Sequence, residues 1–291
     1  MKVIITIPAY NEERTLPFVL QEIKDIMGKT THQYQILVVD DGSRDKTIAI
    51  AKQHGAIVYS NPHNKGLAET FKVEMSLCLA NKADIIVHTD ADGQYPAKYI
   101  PLLIKEIENG ADLVLGSRFG KGNYAGSIMK HAGNVAFAKA IASLTKVKVS
   151  DTTTGFRAFT RTVAEIPLIN NFTYTQEQII KAAKQGLKIR EVPINARRTR
   201  DSRLFKSSLQ YALKAWINIM RIYRDYDPLK FFGRIGTFFL CLGFLMGLWV
   251  LYSIMTTGGV GGIPRVILSA VLILTGLQII LFGFLADMFR R

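Results

Sequence analysis

Short apolar runs alternate with stretches of helical period through the first 120 residues. Residues 3–7, 36–39, 56–59, 85–89 and 112–115 are strand-length and rich in Val, Ile and Leu. The intervening stretches predict helices over 11–27, 45–54, 67–80 and 99–109. Asn11 is placed to cap the first of these, with Glu12 and Glu13 in its first turn, where the helix dipole favours acids. Strands apolar throughout, separated by helices, predict an α/β fold: a mostly parallel sheet covered on both faces. Beyond Arg118 the pattern predicts an Ala-rich helix over 127–144 and a polar turn at 151–157 leading into a short strand. A helix over 176–185 and a strand over 189–193 follow.

The last hundred residues follow a different plan. Residues 235–255 and 266–286 each run 21 residues without a charge, long enough at helical rise to cross roughly 30 Å of hydrocarbon. They predict two transmembrane helices, the second extending to about residue 288. Before them, over 204–223, Phe205, Leu209, Ala212, Trp216, Ile219, Met220 and Tyr223 recur at helical spacing, with Lys206, Lys214 and Arg221 opposite. This predicts an amphipathic helix lying in the membrane interface. The expected organisation is an α/β unit at 1–203, interface helices at 204–230 and a transmembrane domain at 231–291.

Charge supports this arrangement. The net charge is +14, and residues 187–234 hold twelve Lys and Arg against four acids. A basic belt abutting the bilayer suits anionic membrane lipids rather than nucleic acid. Lys230, Arg234, Arg290 and Arg291 flank the spans, so the positive-inside rule puts both termini in the cytoplasm. No signal-peptide pattern precedes the first strand, which keeps the α/β unit cytoplasmic. Cys78 and Cys241 predict no disulfide framework. Gly243 and Gly247 form a G-x-x-x-G that either packs the two helices of one chain or joins subunits of a homo-oligomer. Gln278 is expected to make an interhelical hydrogen bond.

Candidate chemistry gathers where strands end. Pro8-Ala9-Tyr10-Asn11-Glu12, Asp40-Asp41-Gly42-Ser43 and Asp90-Ala91-Asp92-Gly93-Gln94 each follow a strand, and so share the edge at which such sheets bind ligands. Asp90, Asp92 and Gln94 at i, i+2 and i+4 would converge in an extended segment, offering hard oxygens to a divalent cation such as Mg2+. His88 reads as a satisfied strand-end histidine, not a ligand. Asn64-Lys65-Gly66 reads as a helix start, with Lys65 a weaker candidate for a phosphate. Neither G-x-G-x-x-G nor a Walker motif is present, which excludes dinucleotide and P-loop chemistry.

These motifs, with Gly116-Ser117-Arg118-Phe119 and Asp151-Thr152-Thr153-Thr154-Gly155-Phe156-Arg157, resemble family-2 glycosyltransferases of the GT-A fold. The resemblance is to the polyprenyl-phosphate branch that includes dolichyl-phosphate mannose synthases, and it covers about residues 1–160. It implies that Pro8, Tyr10, Glu12, Asp40, Asp41, Asp90 and Ala91 bind a nucleotide-sugar, with a UDP-sugar favoured and GDP-mannose the alternative. Asp90, Asp92 and Gln94 would hold Mg2+ or Mn2+. Asp92, Arg118 and Arg203 would serve catalysis. Arg118, Lys130, Arg157, Arg200 and Ser202 would meet the phosphate of a polyprenyl or dolichyl acceptor. One in-line displacement implies inversion and a β-linked product. A lipid phosphate needs no general base, whereas a sugar hydroxyl would, and Glu177 is the candidate base for that second reading. A third reading is a catalytically silent membrane scaffold. Absence of Gln-x-x-Arg-Trp argues against a processive polysaccharide synthase.

Overall fold

A computed structural model of the chain describes residues 1–119, 128–169, 174–197, 208–258 and 263–289. Strands β1 (Lys2–Ala9), β2 (Gln33–Asp40), β3 (Ile57–Ser60), β4 (Ile85–His88), β5 (Leu113–Ser117), β6 (Arg157–Thr160) and β7 (Ile189–Pro193) form one sheet, ordered β3-β2-β1-β4-β6-β5-β7. Helices α1 (Leu16–Met27), α2 (Thr47–Gln53), α3 (Leu67–Ala80) and α4 (Ile100–Glu108) connect the first five strands. Later come α5 (Ile128–Thr145), the short α6 (Arg161–Ala164) and α7 (Tyr174–Lys184). Every residue of β1 from Val3 to Ala9 is buried, as a strand covered on both faces requires. Leu16, Leu20, Ile23 and Met27 of α1 and Leu103, Ile104 and Ile107 of α4 complete this core.

Two features depart from the expected pattern. Residues 11–15 form a turn, and α1 starts only at Leu16, with Pro at its N-terminal end, where a missing N–H costs nothing. Asn11 takes a positive φ of 55° and caps nothing; its Oδ1 accepts from Arg44 N at 2.9 Å, and its N–H donates to Ser43 Oγ. Secondly, β6 is antiparallel to both neighbours and sits between β4 and β5. His88 at the end of β4 lies opposite Arg157 at the start of β6. The polar turn preceding β6 is thereby brought to the carboxyl edge of the parallel strands.

The chain divides into two compact units, Met1–Ala212 and Leu213–Arg291, with the boundary inside α8 (Ser208–Tyr226). Leu213, Trp216 and Ile217 of α8 are exposed, while Asn218 and Ile222 are buried. Helices α9 (Pro228–Thr257) and α10 (Ile263–Met288) are long and apolar enough to cross a membrane, and most of their large side chains face outward. They pair through small residues. A Cβ on Gly276 would stand 2.7 Å from Gly236 O, and one on Gly243 2.8 Å from Ile273 N. Ser269 Oγ donates to Gly243 O at 2.8 Å. The glycines therefore pack the two helices of one chain. Gln278, expected between the helices, is exposed on the outer face of α10.

This contact predicts that Gly276→Leu costs about 1–3 kcal/mol, the usual range for overpacking. Thermal unfolding in detergent should show the loss. Gly233→Leu, where an added Cβ meets nothing within 4 Å, should leave the melting temperature unchanged.

Candidate active site

The carboxyl ends of β1, β2 and β3 enclose a cavity of about 480 Å³ lined by Tyr10, Ser43, Arg44, Asn61, His63 and Asn64 among others. Cross-bonds between the turns after β1 and β2 build its floor. Glu12 N–H donates to Thr47 Oγ1 and Glu13 N–H to Asp45 Oδ2. Asp40, wholly buried, accepts from Gly42 N, Ser43 N and Ser60 Oγ. Asp41 accepts from Asn61 Nδ2 and from the N–H groups of Lys65 and Gly66, all at 2.9 Å. It therefore holds the loop that leads into α3, and Asn64-Lys65-Gly66 stands directly before that helix. Both carboxylates hold the turns in shape, so any contact they make with a ligand is additional to this role. Pro8 is buried, Glu12 is nearly so and Tyr10 is exposed to the cavity.

The acidic turn lies at the end of β4. The strand stops at His88, and Gly93 has φ +74°, so Asp90, Asp92 and Gln94 occupy a turn and not the extended segment first expected. Asp92 Oδ1 accepts from Gln94 N–H at 2.9 Å. Ala91 is buried, leaving Asp90 and Asp92 half-exposed on either side of it. Burial pushes the Asp90 carboxyl up to about 6; His88 pulls it down, and the Asp92 charge pushes it up again. A Cβ on Gly155 would lie 3.1 Å from Asp90 Oδ1, so the glycine leaves room at this carboxylate. Among the described residues no three His, Cys, Asp or Glu side chains converge as a metal cage. The two carboxylates of this turn, both half-exposed, fit a hard cation that takes its remaining ligands from water and phosphate.

Arg118, directly after β5, supplies the neighbouring positive charge, and the turn before β6 holds it. Arg118 Nε and Nη2 donate to Asp151 at 2.7 and 3.0 Å, and Nη2 also reaches Thr153 Oγ1. Asp151 is wholly buried, so Arg118 is fixed, close enough to Asp90 for each to shift the other's titration. Tyr95 stacks on Phe156 at 5.2 Å between centroids and accepts from Gly155 N–H, which joins the two motifs. Beneath them, Glu74 Oε2 approaches His88 Nδ1 at 2.9 Å with both side chains inaccessible, and the imidazole packs edge-on against Phe71.

Several expected residues lie elsewhere. Arg157 is entirely buried, donating to Thr175 O, Gln178 Oε1 and Thr154 O. It has no surface to present to a lipid phosphate and acts as an internal strut. Glu177 is buried, 2.8 Å from Lys181 Nζ, and accepts from Ile169 N–H. Lys130 falls in α5, with its side chain outside the described part, and Arg200, Ser202 and Arg203 lie outside the described residues. Sequence reasoning gave no role to Asp151, Gly155, Tyr95 or Glu74. The first two stand in a motif already noticed; nothing local marks Glu74, whose partner is fourteen residues away.

A cavity and an acidic turn on the one carboxyl edge of such a sheet are the arrangement of the GT-A sugar-nucleotide transferases. In fold the chain matches glucosyl-3-phosphoglycerate synthase from Mycobacterium tuberculosis, solved with Mn2+ and UDP-glucose, at a TM-score of 0.60 and 22% identity over 76% of this chain and 78% of that one. The model of glycosyl transferase family 2 matches residues 4–166, and the chain belongs to that family. It is 36% identical to a dolichyl-phosphate hexose transferase of Haloferax volcanii over 65% of this chain and 80% of the relative. A bactoprenol glucosyl transferase of Shigella phage SfX is 26% identical over 100% of this chain and 94% of its own length.

Two outcomes test the geometry. Asp90 binds its proton more tightly folded than unfolded, so its ionisation opposes folding increasingly between pH 4 and 6. Asp90→Asn should therefore raise the melting temperature of the metal-free protein by a few degrees at pH 7, with no gain below pH 4. Glu74→Ala, which removes the buried carboxylate 2.9 Å from His88 Nδ1, should cost about 1–3 kcal/mol in denaturant unfolding.

Proposed function

We propose that the chain is a membrane-anchored, inverting glycosyltransferase that moves one sugar from a nucleotide-sugar to a polyprenyl phosphate at the cytoplasmic face. The observation that carries this reading is the two-carboxylate turn on the same sheet edge as the cavity, in a chain whose similarity to a bactoprenol glucosyl transferase runs through both apolar helices. The outward apolar faces of α8, α9 and α10 suit an acceptor that resides in the bilayer.

Tyr10 offers an exposed ring to the base at the mouth of the cavity. Asp90 and Asp92, with the Gln94 amide, would hold Mg2+ or Mn2+, which when bound neutralises the leaving diphosphate as a Lewis acid. Arg118, fixed by Asp151, adds a preorganised positive charge that needs no reorganisation as the bond breaks. An oxygen of the lipid phosphate attacks the anomeric carbon as its bond to the diphosphate breaks, inverting that centre. The acceptor is already an anion, so no base is required. Arg200 and Ser202 complete the proposal as lipid-phosphate-binding residues and Arg203 as a catalytic one. The burial of Glu177 and its pairing with Lys181 favour this acceptor over a sugar hydroxyl, for which Glu177 would have to reach the substrate. A uridine donor is preferred to GDP-mannose.

The test incubates detergent-solubilised protein with polyprenyl phosphate, Mg2+ and a panel of UDP- and GDP-sugars, followed by mass spectrometry. A single-sugar phospholipid formed from one donor and lost with EDTA is expected. Asp92→Ala should lower the rate at least ~100-fold while membrane insertion is retained, and Glu177→Gln should keep substantial rate. Nucleotide binding without product would instead favour the silent scaffold.

A further inference from the structure

Phe18, Glu22 and Arg197 grip the acidic turn from a side that the transfer chemistry does not use. Arg197 N–H donates to Gln94 O at 2.8 Å. Its guanidinium donates to both oxygens of Glu22, Nη1 at 2.8 Å and Nη2 at 2.7 Å. The same guanidinium lies over the Phe18 ring, 5.2 Å from its centroid. Phe18 in turn backs Gly93: a Cβ built there would lie 3.7 Å from its ring. Phe18 and Glu22 are one turn apart on α1, so a single helix face presents both the stacking surface and the carboxylate. This face of α1 is otherwise turned to solvent, with Phe18 55% exposed.

We infer that Glu22 and Arg197 are positioning residues that hold the Gly93–Gln94 backbone and so set the geometry of the metal-binding turn. The inference rests on the metal role proposed above for that turn. A fork-to-carboxylate pair fixes orientation as well as distance. The pair is partly exposed, so it adds little to global stability. Its effect falls on the one element to which Arg197 is bonded through its backbone. A turn with a glycine at positive φ has little rigidity of its own, and Asp92 and Gln94 lie on either side of that glycine.

The test compares full-length wild type with Glu22→Gln, Arg197→Ala and the charge swap E22R/R197E. Hydrogen exchange reads the peptide containing residues 90–95, and electron paramagnetic resonance titrates Mn2+ in the presence of UDP. Both single variants should exchange roughly fivefold or more faster in that peptide. They should bind Mn2+ roughly three- to tenfold more weakly at an unchanged melting temperature, with the swap recovering most of each loss. Unchanged exchange and Mn2+ affinity in both single variants overturns the inference, as does a loss that the swap leaves unrestored. Faster exchange in the variants of a protein whose wild type binds no Mn2+ upholds the positioning role and removes the metal role.

Discussion

An acidic turn that buries one carboxylate beside another makes its ionisation costly, and the architecture around β4 answers that cost. Asp90 bears most of it, its proton held up to about 6 by burial and by Asp92. Opposing charge comes from Arg118, clamped by the buried Asp151, and behind the turn His88 lies against Glu74. Gly155 leaves the space into which the carboxylate projects. Ionising Asp90 in this setting opposes folding. Functional sites commonly carry such a stability cost.

One topological event assembles these parts. Inserting β6 antiparallel between β4 and β5 puts the start of β6 at the same edge as the ends of its neighbours. Asp151, Thr153 and Gly155 thereby reach Arg118 and Asp90 across more than thirty residues of chain. The same insertion places Arg157 in the interior, where carbonyl and amide oxygens surround its guanidinium. The hairpin of α9 and α10 follows a simpler rule. Its glycines admit close backbone approach between two helices, and its large apolar residues face outward.

Much of this was legible along the chain. The range expected for α3 and that expected for β7 match the structure, and both apolar helices lie where charge-free runs of 21 residues occur. Strand ends at Ala9, Asp40 and His88 put three polar clusters on one edge, as their position after apolar runs implied. Asn11 shows where local reading fails. Its residue type and spacing suit a helix cap, yet a bond to the neighbouring turn at Arg44 outweighs that propensity. Arg157 failed for a related reason: a cation beside a site motif reads as a ligand contact, and only pairing of β6 with β4 makes it an internal strut.

Periodicity and charge-free length by themselves determined the α/β unit, the pair of long apolar helices and the edge on which the polar clusters gather, because each is a property of consecutive residues. The tertiary structure decided which charges face the acidic turn, which arginine is fixed and which is buried, and that the glycines of α9 meet α10. Those outcomes depend on pairs far apart in sequence, such as Glu74 with His88, Arg118 with Asp151 and Glu22 with Arg197. Burial and desolvation act on a group through all its neighbours at once, and only the folded chain brings those neighbours together.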